Sequence, residues 1–311
     1  MTLREAAEEF LRQRLSAGCT EGTVTGYRNV LVHLVKQADA ARVDRPHQLT
    51  LDFLLTWLGS LNVAPGTRKI YASVTRSLLH YCVRRKIALH VRPEDMPLPV
   101  AHSAPRQTLT QTQVNALLAT CKHPGNGWAK NNVRDRLILS LLVECGLRCG
   151  ELCNLKLGYF EVYSPPQGSA RGHITIRGKG GKNRIVGFGE EIRRALLAHC
   201  REWRITSDDQ YLFTSEDDDT APISSSCIWR MIQRRGAKAG IKRHIHPHVF
   251  RHTFATNMLR QGENLFVTAR ALGHSRISTT EIYLHMADTE VEEAGVRASM
   301  LNKRERQPWE L

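Results

Sequence analysis

The chain has 311 residues, 41% of them hydrophobic, and a formal net charge of +14. That length suits two domains better than one, and that apolar fraction supplies real cores, which excludes global disorder. Lys and Arg outnumber Asp and Glu both before and after residue 106, so the excess is no mere tail and points to a polyanion gripped from two sides, most simply nucleic acid.

In chain order, Thr2-Leu3-Arg4-Glu5 reads as a helix-capping box, with Leu3, Ala7, Phe10 and Leu11 following at helical spacing. Acidic and polar residues this early argue against a secretion signal. A second helix carries Tyr27, Val30, Leu31, Leu34 and Val35 inward, and a third, capped by Thr50, buries Leu51, Leu54, Leu55 and Leu58. Pro65-Gly66-Thr67 opens a fourth, with Tyr71, Val74, Leu78 and Cys82 inward and Arg84-Arg85-Lys86 at its end. Residues 1–90 thus read as a small helical domain. Pro93, Pro97, Pro99 and Pro105 make 91–106 an extended linker.

The second domain, 107–311, opens on another capping box, Thr110 to Gln113. A buried helix from Val133 to Cys145 should stop at Gly146. Its apolar run, Leu137 to Val143, is too short to span a bilayer. Strand patterns then appear at 160–163, 173–176 and 184–186, with helices resuming at 190–201, 224–239, 247–260 and 265–272. The expected fold is mainly α with a small antiparallel β-sheet. Eight cysteines without framework spacing read as the reduced thiols of an unsecreted, cytoplasmic chain. Cys145, Cys149 and Cys153 lack the histidine partners of a zinc site, and the acids from Glu216 to Asp219 read as a solvated loop, so no metal is expected. No Gly-x4-Gly-Lys-Ser/Thr loop is present, so neither nucleotide nor other cofactor is expected.

One set of residues has the chemistry to attack a phosphodiester. The pentavalent transition state carries roughly two negative charges, and Arg148 and Arg251 are the candidate cations for its oxygens. Lys179, on the glycine-rich turn Gly178-Lys179-Gly180-Gly181-Lys182, could protonate a leaving 5′ oxygen, with Lys182 its competitor. Tyr283, inside a helix opened by Ser278-Thr279-Thr280-Glu281, is the candidate nucleophile. His248, one turn before Arg251, is the candidate base, and His274 could bond a phosphate oxygen or orient the tyrosine. Glu151 reads equally as an acid orienting Arg148 or as a solvent-facing helix residue.

Three segments carry a resemblance. Gly146-Leu147-Arg148-Cys149-Gly150-Glu151-Leu152, the box from His246 to Thr256, and Leu272-Gly273-His274 running to Tyr283 together resemble the tyrosine recombinase (phage integrase) family. The resemblance implies a two-domain clamp, with a helical core-binding domain before a mixed α+β catalytic domain. It makes Arg148, Lys179, His248, Arg251, His274 and Tyr283 the six active-site positions. It further implies a site-specific recombinase or integrase that cuts and rejoins double-stranded DNA at specific sites through a 3′-phosphotyrosyl bond, without metal or ATP. Strand exchange would need a homo- or hetero-tetramer on the DNA, with no membrane involved. A type IB topoisomerase-like or telomere-resolving strand transferase, and a non-catalytic DNA-binding protein with the same fold, are the alternatives. Val291, Ala294 and Leu301 suggest a C-terminal amphipathic helix that docks on a neighbouring protomer. Where many relatives have Val-Pro-Leu after the lysine turn, this chain has Val186-Gly187-Phe188, and the loop at 164–171 is longer than in compact members. Both departures weaken assignment to the Xer-type chromosome-resolution branch.

Overall fold

A computed structural model of the chain describes residues 1–99, 107–121, 129–163, 171–177, 183–215 and 217–273. Two compact units emerge, Met1–Pro105 and Arg106–Leu311.

The first unit is four helices: α1 (Leu3–Ser16), α2 (Glu21–Ala40), α3 (Leu51–Ser60) and α4 (Pro65–Arg84). The starts of α1, α3 and α4 are those expected from the sequence. The Glu5 amide donates to Thr2 Oγ1 at 3.1 Å while the Thr2 amide donates to Glu5 Oε2 at 2.7 Å, satisfying two otherwise orphaned donors. Thr20 and Thr50 cap α2 and α3, and Pro65 fills the first turn of α4, where a missing N–H costs nothing. Phe10, Leu34, Leu54, Trp57 and Leu78 form the centre of the core. Burying each such side chain contributes about 1.5–3 kcal/mol. On α3 the inward stripe is Leu54, Trp57, Leu58, and Leu55 is exposed, contrary to the sequence reading, because the large indole takes the central position.

The expected linker is also shorter than its prolines suggest. Val91 and Met96 are buried in this first core. A short turn at Pro93–Asp95, held by the Arg92 guanidinium on Asp95, brings the two together. The chain therefore remains part of the helical unit through Met96.

The second unit holds α5 (Gln111–Ala119), α6 (Ala129–Cys145), α7 (Cys149–Cys153), strands β1 (Phe160–Tyr163), β2 (Arg171–Arg177) and β3 (Asn183–Phe188), then α8 (Glu190–Trp203), α9 (Ser225–Lys238), α10 (Pro247–Arg260) and α11 (Leu265–Leu272). The short α7 has no counterpart in the sequence reading. Helix α6 is the axis of the unit: Leu137, Ile138, Leu139, Leu141 and Leu142 are all fully buried, with α8 and α10 packed against it. A helix apolar on every side must be covered on every side. The strands make an antiparallel sheet in the order β1-β2-β3, with Phe160 opposite Ile174, Ile174 opposite Val186 and Ile176 opposite Arg184. The mostly helical fold with one small antiparallel sheet is the class expected from the sequence.

A buried carboxylate ties this unit together. Asp135 on α6 accepts from Arg134 Nη2 at 3.1 Å and from Arg235 Nε and Nη2 of α9 at 2.9 and 2.7 Å. Arg235 also donates to the Thr120 carbonyl at the end of α5, at 2.7 Å. Removing one member would leave a buried charge uncompensated, at a cost of about 3–5 kcal/mol.

Candidate active site

The site begins with a turn that only glycine adopts comfortably. Gly146 ends α6 at φ 57°, and a Cβ there would overlap the Phe254 ring. Leu147, fully buried, anchors the turn, and Arg148 opens α7. Glu151 reaches back across that first turn. It accepts from the Arg148 amide at 2.7 Å and from Arg148 Nη1 at 2.8 Å. Glu151 is therefore the orienting acid of the two readings the sequence left open, with its side chain only 10% exposed.

A second guanidinium completes the clamp. Arg184, on β3, donates from Nη1 and Nη2 to the two Glu151 oxygens at 2.6 and 2.7 Å, a parallel pair of charged hydrogen bonds. Burial alone would raise the Glu151 pKa. The bonds and charge of Arg184, followed by those of Arg148, outweigh it and hold the carboxyl at about 2.

Helix α10 supplies the next two residues. Pro247 occupies its first turn and leaves His248 exposed on the same turn, its ring 6.0 Å from that of His246. Burial and then the neighbouring His244 lower the His246 pKa. One turn after His248, Arg251 is 4% exposed and donates from Nη1 to the Gly146 carbonyl at 2.6 Å and from Nη2 to the Leu272 carbonyl.

These arginines meet at the end of α11. Arg184 Nε donates to the Ala271 carbonyl at 2.8 Å, Arg251 Nη2 to that of Leu272, and Arg148 Nη2 to that of Gly273 at 3.1 Å. Three guanidinium groups from three elements thus take three successive carbonyls at the negative end of a helix, where cations are favoured. Gly273 turns left-handed at φ 65°, and a Cβ on it would lie 2.9 Å from Arg184 Cδ. His274 is the next residue in the chain.

Arg148, His248 and Arg251 are the sequence candidates among the described residues, and the two arginines converge on adjacent carbonyls. Lys179, its competitor Lys182, His274 and Tyr283 lie outside the described residues, as does the segment from 289 to the end. The flanks of the lysine turn are nevertheless defined: Arg177 pairs with Asn183, next to Arg184. Arg184 is the residue the sequence reading passed over. It shares its strand face with Val186 and Phe188, both buried, and a cation in phase with buried residues must have a buried partner. Of the three cysteines spaced four apart, Cys145 is buried in the core, while Cys149 and Cys153 face Ser225 on α9. Asp218 accepts from the amide and hydroxyl of Thr220, a local loop cap.

Residues 107–290 match the phage integrase family. The chain is 36% identical over 197 residues to the tyrosine recombinase XerA of Pyrococcus furiosus, a match covering 63% of each protein, just under two thirds of that relative's length. It is 30% identical over 291 residues to the tyrosine recombinase XerD of Pseudomonas putida, covering 90% of this chain and 91% of that one. Among solved structures, the XerH site-specific recombinase in a post-cleavage complex with palindromic difH substrate superposes with a TM-score of 0.71 at 22% identity, over 88% of this chain and 79% of that one, a likeness of fold. Family profile, a near full-length relative and fold agree, and the chain belongs to the phage integrase family of tyrosine recombinases.

Proposed function

We propose that the protein is a site-specific DNA recombinase or integrase that cuts and rejoins double-stranded DNA through a 3′-phosphotyrosyl intermediate, using neither metal nor ATP. The observation that carries this reading is the convergence of Arg148 and Arg251 beside the carbonyls that lead into His274. The near full-length relative named XerD and the XerH structure bound to difH substrate add support.

In this reading Tyr283 Oη attacks the scissile phosphorus and the bond to the 5′ oxygen breaks. A phenol with an ordinary pKa near 10 needs a base, and His248 takes its proton. Arg148 and Arg251 stabilise charge growing on the non-bridging oxygens, the largest single contribution in such sites. Arg148, with its side chain 41% exposed, retains donors not committed to Glu151 or Gly273. His274 bonds a phosphate oxygen or steadies the tyrosine, and Lys179 protonates the departing 5′ oxygen. The phosphotyrosyl bond keeps the energy of the diester it replaces, so attack by another 5′-hydroxyl rejoins DNA without a nucleotide. Exchange between two duplexes uses four such sites, hence a homo- or hetero-tetramer.

Covalent capture tests this directly. The protein is incubated with nicked duplexes randomised around the nick, denatured, and the DNA-linked peptide identified by mass spectrometry. The expected result is a peptide linked through Tyr283, and no capture by Tyr283→Phe. Equal capture by both proteins would remove Tyr283 as the nucleophile, and capture by neither would leave a DNA-binding protein with the fold. A plasmid carrying two copies of the captured site then separates recombination from relaxation or hairpin formation.

A further inference from the structure

Glu151, like the buried Asp135, holds more guanidinium groups than one carboxylate needs, but here one of them, Arg148, is also a candidate phosphate ligand. Arg148 alone could neutralise Glu151, and the N-terminal amide of α7 already bonds it. Yet Arg184 places two further charged hydrogen bonds on the same carboxylate and a third on the Ala271 carbonyl, from a side chain 8% exposed. Burying a guanidinium is expensive unless every bond it makes is good, so the arrangement calls for an explanation beyond packing.

We infer that Arg184 is a positioning residue for the DNA-cleavage reaction: it offsets the Glu151 charge so that the Arg148 charge remains available to a phosphate, and it fixes the end of α11 from which the chain enters His274. The inference rests on the functional reading above. Without Arg184, Glu151 and the α11 carbonyls would face Arg148 and Arg251 alone. The carboxylate would then cancel one of the two cations meant for a transition state with about two negative charges. With Arg184 present, three guanidinium groups stand against one carboxylate, a net of two positive charges from these four groups. Geometry points the same way. The three arginines hold Ala271, Leu272 and Gly273 in order, and the left-handed Gly273 leaves no room for a Cβ beside Arg184. Arg184 touches no substrate in this account. It acts through Arg148 and through the α11 terminus.

The experiment uses the full chain and the nicked duplex recovered by covalent capture. Single-turnover cleavage at saturating DNA, the Kd for intact duplex and the thermal midpoint are measured for wild type, Arg184→Gln, and the double variant Glu151→Gln/Arg184→Gln. The expected result is a cleavage rate roughly 10- to 100-fold lower for Arg184→Gln, the scale seen when support behind a charged ligand-binding group is lost. Its Kd should stay within about threefold of wild type, because phosphate contacts elsewhere dominate affinity. The double variant should cleave faster than Arg184→Gln, since removing the carboxylate restores the charge on Arg148. A purely structural role predicts the opposite order, because the double variant loses one more buried partner. Wild-type cleavage by Arg184→Gln, a double variant no faster than the single, or rate losses that follow the thermal midpoint would each overturn the inference. Absence of any covalent complex from wild type would instead sink the functional reading, and this inference with it.

Discussion

Gly146 shows how much a single residue decides here. Its left-handed backbone ends α6, aims its carbonyl at Arg251 and sets the N-cap of α7, Arg148, two residues later. An alanine at this position would meet a backbone penalty of about 1–2 kcal/mol. Overlap with Phe254 adds roughly 1–3 kcal/mol. Gly146→Ala should therefore lower stability by about 2–5 kcal/mol. Urea unfolding checks this, and a change below about 0.5 kcal/mol would show that the turn relaxes freely. At the same scale, Arg148, His248 and Arg251 could be named from the sequence because each sits in a dense local motif. Arg184 could not. Its partner Glu151 lies 33 positions away, and only the packing of β3 against the α7 turn brings them together.

Among the elements, α8 carries a second titrating group with consequences for the unit. His199 is fully buried, its Nε2 bonded to the Leu212 carbonyl at 2.6 Å and its Nδ1 without a partner. Burial, against the pull of the Leu212 bond, lowers its pKa to about 4. The folded protein therefore keeps this imidazole neutral while the unfolded chain protonates it near 6.5. Above pH 6.5 the group contributes no pH dependence. As pH falls from 6.5 towards 4 the unfolded state gains the proton first and the fold loses up to about 3 kcal/mol. The stability difference between wild type and His199→Gln should shrink accordingly between pH 7 and pH 5 in urea titrations. An unchanged difference would mean the imidazole is already solvated in the fold. Several helix starts were legible beforehand: Thr2, Thr50, Thr110 and Ser224 each cap a helix, whereas the Thr20 cap of α2 was not read. Helix α7 was not, since five residues hold too little periodicity to read.

At the level of the whole molecule, the +14 charge bears on partner and kinetics rather than on fold. If the proposed partner is duplex DNA, affinity for a non-specific duplex should fall about 1000-fold or more between 50 and 200 mM salt, as counterion release by six or more phosphate contacts requires. Fluorescence anisotropy at four or five salt concentrations would measure it, and a flat profile would argue against a charge-driven interface. Among the described residues no helix is long and apolar enough to cross a membrane. Each unit has its own core, one centred on Phe10, Leu34 and Trp57, the other on α6. Chain length and the proline-rich stretch had led the sequence reading to expect a division. They did not announce that Val91 and Met96 belong to the first core, because two apolar residues among prolines carry no period.

What the sequence by itself determined were several of the helix caps, the strand alternation, the positive charge and the residue types needed for phosphate chemistry. All are local properties, written within a few positions of one another by capping, periodicity and motif spacing. What only the tertiary structure decided was the division of labour among the arginines. Arg148 stands partly open, Arg251 is buried against two carbonyls, and Arg184 neutralises Glu151. Charge–charge energies depend on distance and burial in space, and neither quantity is a function of position along the chain.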